Sequence, residues 1–250
     1  MRSQSSDLSI GSNFRRIEKY LDSENGYWRF SGYGQWEPAA ITDALGESWH
    51  FVTGTNYKLY PCGGVLRTCL DCLVNIINEN SIKPEDIEKV IVYAEPLCVG
   101  PVFQNKEIKS SIDAQFSAGY VFSVAAHGIK PGPQWQHPDT MRNASILGLM
   151  KKVALRPHPE YTRVLKEDPV ARLGKVEVVA RGKTLSEERR YFKGASSPVE
   201  FRLTDEGLAE KFRHQASRIL PADKVDRAVD SILHLEAQED ISDVMANITL

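Results

Sequence analysis

One stretch constrains this chain more than any other: the run from Val65 to Asn78. Val65, Leu66, Cys69, Leu70, Leu73, Ile76 and Ile77 recur at i, i+4, i+7 and i+8, which predicts a helix with one apolar stripe. Gly63-Gly64 breaks the chain before it. Residues 84–87 (Pro-Glu-Asp-Ile) read as a turn behind it, leading into a strand at Lys89-Val-Ile-Val-Tyr-Ala. A stripe of that length needs a sheet or another helix to cover it. Residues 48–60 read as the partner strand, opening on Trp49, Phe51 and Val52 and closing on Tyr57-Lys-Leu-Tyr before Pro61. This β–α–β run predicts an α+β layer.

The rest of the chain extends that layer. Ser110-Ser-Ile-Asp113 has the spacing of a capping box. The helix behind it is expected to bury Ile112, Phe116, Val121 and Val124 and to stop at Gly128. A Pro/Gly-rich loop runs from Lys130 to Pro138, and a further helix is expected from about Thr140 to Lys151. Val176-Glu-Val-Val and the segment around Arg189-Arg-Tyr-Phe read as strands. Gly194-Ala-Ser-Ser-Pro198 is the clearest boundary. Beyond it Thr204 caps a helix over 205–219. Pro221 opens another, with Val225, Val229, Ile232, Leu233 and Leu235 on its apolar face. Ahead of the layer, residues 1–13 read as frayed, 14–21 as a short amphipathic helix and the Gly/aromatic run from Asn25 as irregular. One or two helical turns are expected to end at Gly46.

Charge and composition exclude several function classes. Lys and Arg number 31 against 33 Asp and Glu, a formal charge of −2, so a generally basic nucleic-acid binder is excluded. No apolar run approaches the roughly 20 residues of a membrane-spanning helix. The opening Met1-Arg-Ser-Gln-Ser-Ser-Asp has no apolar core of a signal peptide. Four cysteines in 250 residues make no disulfide scaffold, which points to a reducing intracellular compartment.

Cys69-Leu-Asp-Cys72, with Cys62 and Cys98 nearby, invites a metal reading. Cys69 however lies on the apolar stripe, and neither a second CxxC nor a histidine pair at ligand spacing accompanies it. No metal is expected. The six histidines are scattered, and neither a phosphate loop nor a GxSxG elbow is present. Lys58 is the more informative residue. On a strand it shares a face with Tyr60, and at a strand end beside Gly63-Gly64 it reaches into a cleft. The plainer alternative is a snorkelling surface lysine. Arg67, on the first turn of the next helix, is placed to bind a carboxylate with Lys58. Tyr120 reads by pattern as a core tyrosine with its hydroxyl at the edge.

Four blocks together resemble the MmgE/PrpD family of 2-methylcitrate dehydratases, cis-aconitate decarboxylases, iminodisuccinate epimerases and the alkylcitrate dehydratases of fungal secondary metabolism. They are Leu45-Gly-Glu-Ser-Trp leading into Tyr57-Lys-Leu-Tyr-Pro-Cys, Asp113-Ala-Gln-Phe-Ser-Ala-Gly-Tyr120, Gly194-Ala-Ser-Ser-Pro198, and Glu210-Lys-Phe212 through Leu235-Glu-Ala-Gln-Glu-Asp240. The resemblance implies an α+β lid over 48–193, inserted in a helical domain of which 1–47 and 194–250 are parts. It implies a lyase that removes water from a small di- or tricarboxylic acid without metal or cofactor, or a relative that decarboxylates or epimerises a similar acid. Lys58 matches the lysine of the family's K-x-[YF]-P motif and Tyr120 the tyrosine of its F-S-x-x-Y motif, both active-site positions. Where relatives have His after the Tyr-Pro-Cys turn, this chain has Arg67, expected to clamp a carboxylate. Relatives also carry a long N-terminal helical half with an Asp and a His used in the chemistry, and this chain starts near its end. The expectation is therefore a homo-oligomer, or association with a full-length homologue in a non-catalytic role. A cytoplasmic or mitochondrial location follows, with no nucleic-acid or membrane partner.

Overall fold

A computed structural model of the chain describes residues 39, 43–49, 51 and 54–249. The readings made for residues 1–38 lie outside the described residues. Contacts divide the chain into two units, Met1–Thr53 and Gly54–Leu250. In the first, residues 43–47 turn, Asp43 N–H donates to the Ala39 carbonyl at 2.7 Å, and Gly46 takes a φ of +87°.

The second unit starts from the apolar stripe. Helix α1 (Arg67–Asn80) buries Cys69, Leu70, Cys72, Leu73 and Ile76, each large aliphatic worth about 1.5–3 kcal/mol when fully removed from water. It ends where Ser81 turns left-handed at φ +48° and the Asn80 side chain donates back to the Ile76 carbonyl at 2.9 Å. Strand β1 (Ile87–Ala94) follows, then α2 (Ser111–Phe116), α3 (Ala118–Ala126), α4 (Ala144–Met150) and β2 (Val153–Pro157). Helix α5 (Tyr161–Glu167), β3 (Gly174–Ala180) and β4 (Lys183–Arg189) complete the sheet region, and α6 (Asp205–Ala216), α7 (Ala222–Leu233) and α8 (Ile241–Ile248) close the unit.

Among the described residues four strands form one mixed sheet in the order β2-β1-β3-β4. β1 runs parallel to β2, with Val90 opposite Val153, and antiparallel to β3, with Val90 opposite Val178. A parallel pair needs a long crossover, and the one here carries α2, α3 and α4. Helix α1 packs over β3 and β4, α3 over β2, and the two helices touch. Val90, Val92, Val176 and Val178 are buried in the same cluster as Leu70 and Leu73. The fold is thus α+β, as the sequence predicts. Strand β4 carries Lys183, Glu187, Glu188 and Arg189 on the free edge, a charge pattern that discourages pairing with another chain. The β3–β4 turn, Arg181-Gly182, has positive φ at both positions (+53° and +70°), which matches the twist of a two-residue hairpin.

Several expectations need correction. Residues 48–60 contain no strand among those described: Phe51 and Gly54 are helical and 55–59 irregular. The backbone there bonds to a distant loop rather than a ladder, with Tyr57 N–H donating to the Gly194 carbonyl at 2.8 Å. The helix expected from Ser111 to Gly128 is two helices. Ser117 adopts extended backbone and caps α3 by accepting from Tyr120 N–H, so Ile112 falls on an outward face, 64% exposed. The helix expected over 140–151 is a single turn at Pro138–Met141 followed by α4, because Asn143 caps a new start through Ser145 and Ile146 N–H. The last strand lies at Lys183–Arg189 rather than around Arg189–Phe192. Ile232, Leu233 and Leu235 are exposed, whereas Val225 and Val229 of the same face are buried.

Candidate functional site

Four separate segments meet on one side of this unit. The first is Lys58–Pro61. It is held from behind by Asp71 of α1, whose two oxygens accept from the Tyr60 hydroxyl at 2.8 Å and from Lys193 N–H at 2.7 Å. Asp71 is buried, and burial raises its carboxyl above the ordinary value although both hydrogen bonds pull it down. Burial and the neighbouring Asp71 hold the Tyr60 phenol far above its usual range. The second segment is the one around Lys193. Gly194, at φ +95°, accepts from Tyr57 N–H, and a Cβ on it would stand 2.7 Å from the Tyr57 carbonyl oxygen, so only glycine allows this approach.

The third segment is the loop 130–136. Its anchor is Trp135, fully buried, whose indole N–H donates to the Ile129 carbonyl at 2.9 Å. Gln136 donates to the Pro61 carbonyl at 3.1 Å, joining this loop to the first segment. The fourth is α6, started by Thr204, whose hydroxyl accepts from Gly207 N–H at 3.1 Å. Lys211 of α6 donates to the Lys58 carbonyl at 2.7 Å.

These walls enclose two adjoining cavities, of about 220 and 380 Å3, that share Leu59, Tyr60 and Lys211. Lys130 and Lys193 line the smaller and Lys58 the larger. Against these four lysines stands one carboxylate, Glu210, 3.3 Å from Lys130 and exposed. The local field is positive in a chain whose net charge is negative. Combined with apolar walls from Leu59, Leu203 and Pro131, this chemistry suits a small anion with more than one carboxylate.

The sequence-predicted residues are distributed unequally around this feature. Lys58 is on its rim with an exposed side chain. The expected strand alternation does not place it there: Lys58, Leu59, Tyr60 and Pro61 all line one cavity, which an irregular segment permits and a strand does not. Tyr120 is fully buried in the core, and its hydroxyl donates to the Trp135 carbonyl at 2.5 Å. Desolvation pushes its phenol up to about 12. It lies behind the 133–136 turn, whose Pro133 and Gln136 face the cavity, and does not line that cavity itself. Arg67 is half-buried, its guanidinium 3.7 Å above the Phe192 ring and its Nε donating to the Gly64 carbonyl at 3.1 Å. Lys58 and Arg67 act on the same group, since both favour ionisation of Cys62, but burial outweighs them and pushes that thiol up to about 12. Of the three, Lys58 alone lines either cavity.

The cysteines have packing roles. Cys69 lies against β3, where a Cβ on Gly174 would stand 2.6 Å from its sulfur, and donates to the Tyr93 carbonyl at 3.3 Å. Cys72 faces the Gly174 carbonyl at 3.8 Å. Burial raises both thiols, Cys72 to about 12, which leaves them poor nucleophiles. Among the described residues no group of three or more His, Cys, Asp or Glu is placed to hold a metal ion.

Sequence reasoning did not find Lys130, Lys193, Lys211 or His214. Lys130 opens the Pro/Gly-rich loop and Lys193 abuts the Gly194 block, so punctuation marked both neighbourhoods but not the lysines. Lys211 and His214 lie three apart on α6, a spacing that places them on one helix face without saying what that face meets.

Comparison with known proteins adds two findings. Residues 60–236 match the model of the MmgE/PrpD C-terminal domain. The cis-aconitate decarboxylase-like protein oryM of Aspergillus oryzae is 23% identical over 226 residues, an alignment that covers 86% of this chain and 44% of the relative. The chain thus spans less than half the length of that curated relative.

Proposed function

Because the chain belongs to the MmgE/PrpD family, we propose that it acts on a small di- or tricarboxylic acid as a lyase of the 2-methylcitrate or alkylcitrate dehydratase type. The observation that carries this reading is the lysine-lined cavity pair, with Lys58, Lys130, Lys193 and Lys211 facing space between apolar walls. Dehydration of such an acid transfers a proton from carbon beside a carboxylate to a base, breaks the C–O bond as the departing oxygen gains a proton, releases water and leaves a C=C bond. Ammonium groups that hold the flanking carboxylates stabilise the negative charge that develops on them as the proton leaves.

Lys58 has the proposed role of holding the carboxylate next to the reacting carbon. Tyr120, kept protonated by burial, has the proposed role of proton donor to the departing oxygen. That role requires its hydroxyl to leave the Trp135 carbonyl as substrate enters. Arg67 is proposed to hold a distal carboxylate by turning from the Phe192 ring. A second reading, decarboxylation of a similar acid, is favoured by the printed name of the Aspergillus oryzae relative. Incubation of the purified chain with 2-methylcitrate, citrate and cis-aconitate, read by mass spectrometry, separates the two. Loss of water supports dehydration, loss of carbon dioxide supports decarboxylation, and an unchanged acid in every case rejects both.

A further inference from the structure

Two polar atoms of this region, His214 Nε2 and Gln134 Oε1, expose almost no surface although their residues are only half-buried, and they meet no hydrogen-bonding partner among the described residues. Buried polar groups are almost always paired, so two orphans near one backbone position need a physical reason. They come from different elements, α6 and the loop 130–136, and flank one glycine. A Cβ on Gly132 would stand 3.3 Å from His214 Nε2 and 3.6 Å from Gln134 Oε1. His214 also lines the lysine-rich cavity.

We propose that His214 Nε2 and Gln134 Oε1 together form a subsite for the hydroxyl group of a hydroxy-polycarboxylic acid. The inference rests on the polycarboxylate reading above and deepens it. The chemistry of the pair selects the ligand group. A neutral imidazole with its proton on Nε2 offers a donor, and the amide oxygen offers an acceptor. A hydroxyl is both acceptor and donor and satisfies the two at once. A carboxylate only accepts and leaves Oε1 unpaired, and an ammonium only donates and leaves the imidazole N–H unpaired. Desolvation, with Lys130 and Arg218 nearby, holds His214 below its ordinary value against the opposing pull of Glu210, which favours the neutral ring.

Entry requires the loop segment 130–134 to lift from α6. Trp135 and Ile129 clamp its base through the indole hydrogen bond. Between them Lys130, Pro131, Gly132, Pro133 and Gln134 are tied to α6 by the exposed Lys130–Glu210 pair at 3.3 Å, an interaction of a weak class. Closure without ligand leaves both orphans unpaired, and closure over a hydroxyl pairs both.

The test compares citrate with tricarballylate, which lacks only the hydroxyl, by calorimetric titration of the full chain. The wild type is expected to bind citrate about tenfold more tightly, the ratio for one satisfied buried polar pair. Gln134→Leu and His214→Phe are each expected to bring the ratio near one while tricarballylate affinity changes little. Equal affinities in the wild type overturn the inference whether or not the variants fold, and so does an undiminished preference for citrate in both folded variants. Binding of neither acid overturns the polycarboxylate reading and this inference with it.

Discussion

Around Asp71 each carboxylate oxygen is occupied, one by the Tyr60 hydroxyl and one by Lys193 N–H. Around Gly132, which lines the larger of the two cavities, an imidazole nitrogen and an amide oxygen are buried with nothing to bond among the described residues. Both places bury polar groups, and they differ in whether those groups are paired. The Asp71 side joins the cavity wall to α1 and the sheet, and its satisfied bonds make it rigid. The Gly132 side joins a clamped loop to α6 by an exposed ion pair, and its orphans make closure costly until something polar arrives.

The comparison breaks first on stability. Leu70→Ala, in the rigid half, is expected to cost about 2–5 kcal/mol in a denaturant titration, whereas Lys58→Ala and Lys130→Ala on the cavity rim should stay within about 0.5 kcal/mol of wild type. A large loss from either lysine would mean that the rim is structural. Next, Asp71→Ala leaves a buried phenol and a backbone N–H unpaired, which should cost about 2–4 kcal/mol in the same measurement. A smaller loss would show that the wall holds without its carboxylate.

Tyr120→Phe sharpens the account by separating the packing role of this residue from the role in chemistry that the family resemblance implies. Losing the bond to the Trp135 carbonyl should cost about 1 kcal/mol of stability. If the phenol also donates a proton in the reaction, turnover should fall about a hundredfold or more. Near-wild-type turnover in the folded variant would reduce Tyr120 to a strut.

The smallest effect concerns pH. His214 is held below its unfolded value of 6.5, first by desolvation and then by Lys130 and Arg218. The unfolded chain therefore takes up the proton first, and this contribution to stability is present above the ordinary value and is lost as pH falls through the depressed one. His214→Gln should flatten that part of a stability-versus-pH curve. An unchanged slope would assign it to other groups.

The fold was legible where a pattern was long and its partner local. The α1 stripe reads correctly because five apolar positions, Cys69, Leu70, Leu73, Ile76 and Ile77, repeat within it, and β3 because Val176 and Val178 alternate with the charged Lys175 and Glu177. Strand β2 was not legible. It has five residues, ends in Pro157 and follows two lysines, and it becomes a strand only by pairing with β1 across a crossover of nearly sixty residues. The break at Ser117 was hidden because Ser110 and Ser117 are both good caps, and sequence offered no way to see that the second one interrupts. Residues 55–59 look like a strand by composition, yet Asn56, Tyr57 and Lys58 bond to Ser196, Gly194 and Lys211 instead. The cavity was half legible. Lys58 stands out beside a turn, but its charge becomes a site only when Lys130, Lys193 and Lys211 arrive from three other segments, and no local spacing encodes that meeting.

The most direct measurement is calorimetric titration of 2-methylcitrate into the wild-type chain and into the Lys58→Ala/Lys211→Ala double variant, with folding of both checked by circular dichroism. The account predicts saturable binding by the wild type that weakens at least about tenfold in the variant. Binding of equal strength in the two proteins, or none in the wild type, would contradict it.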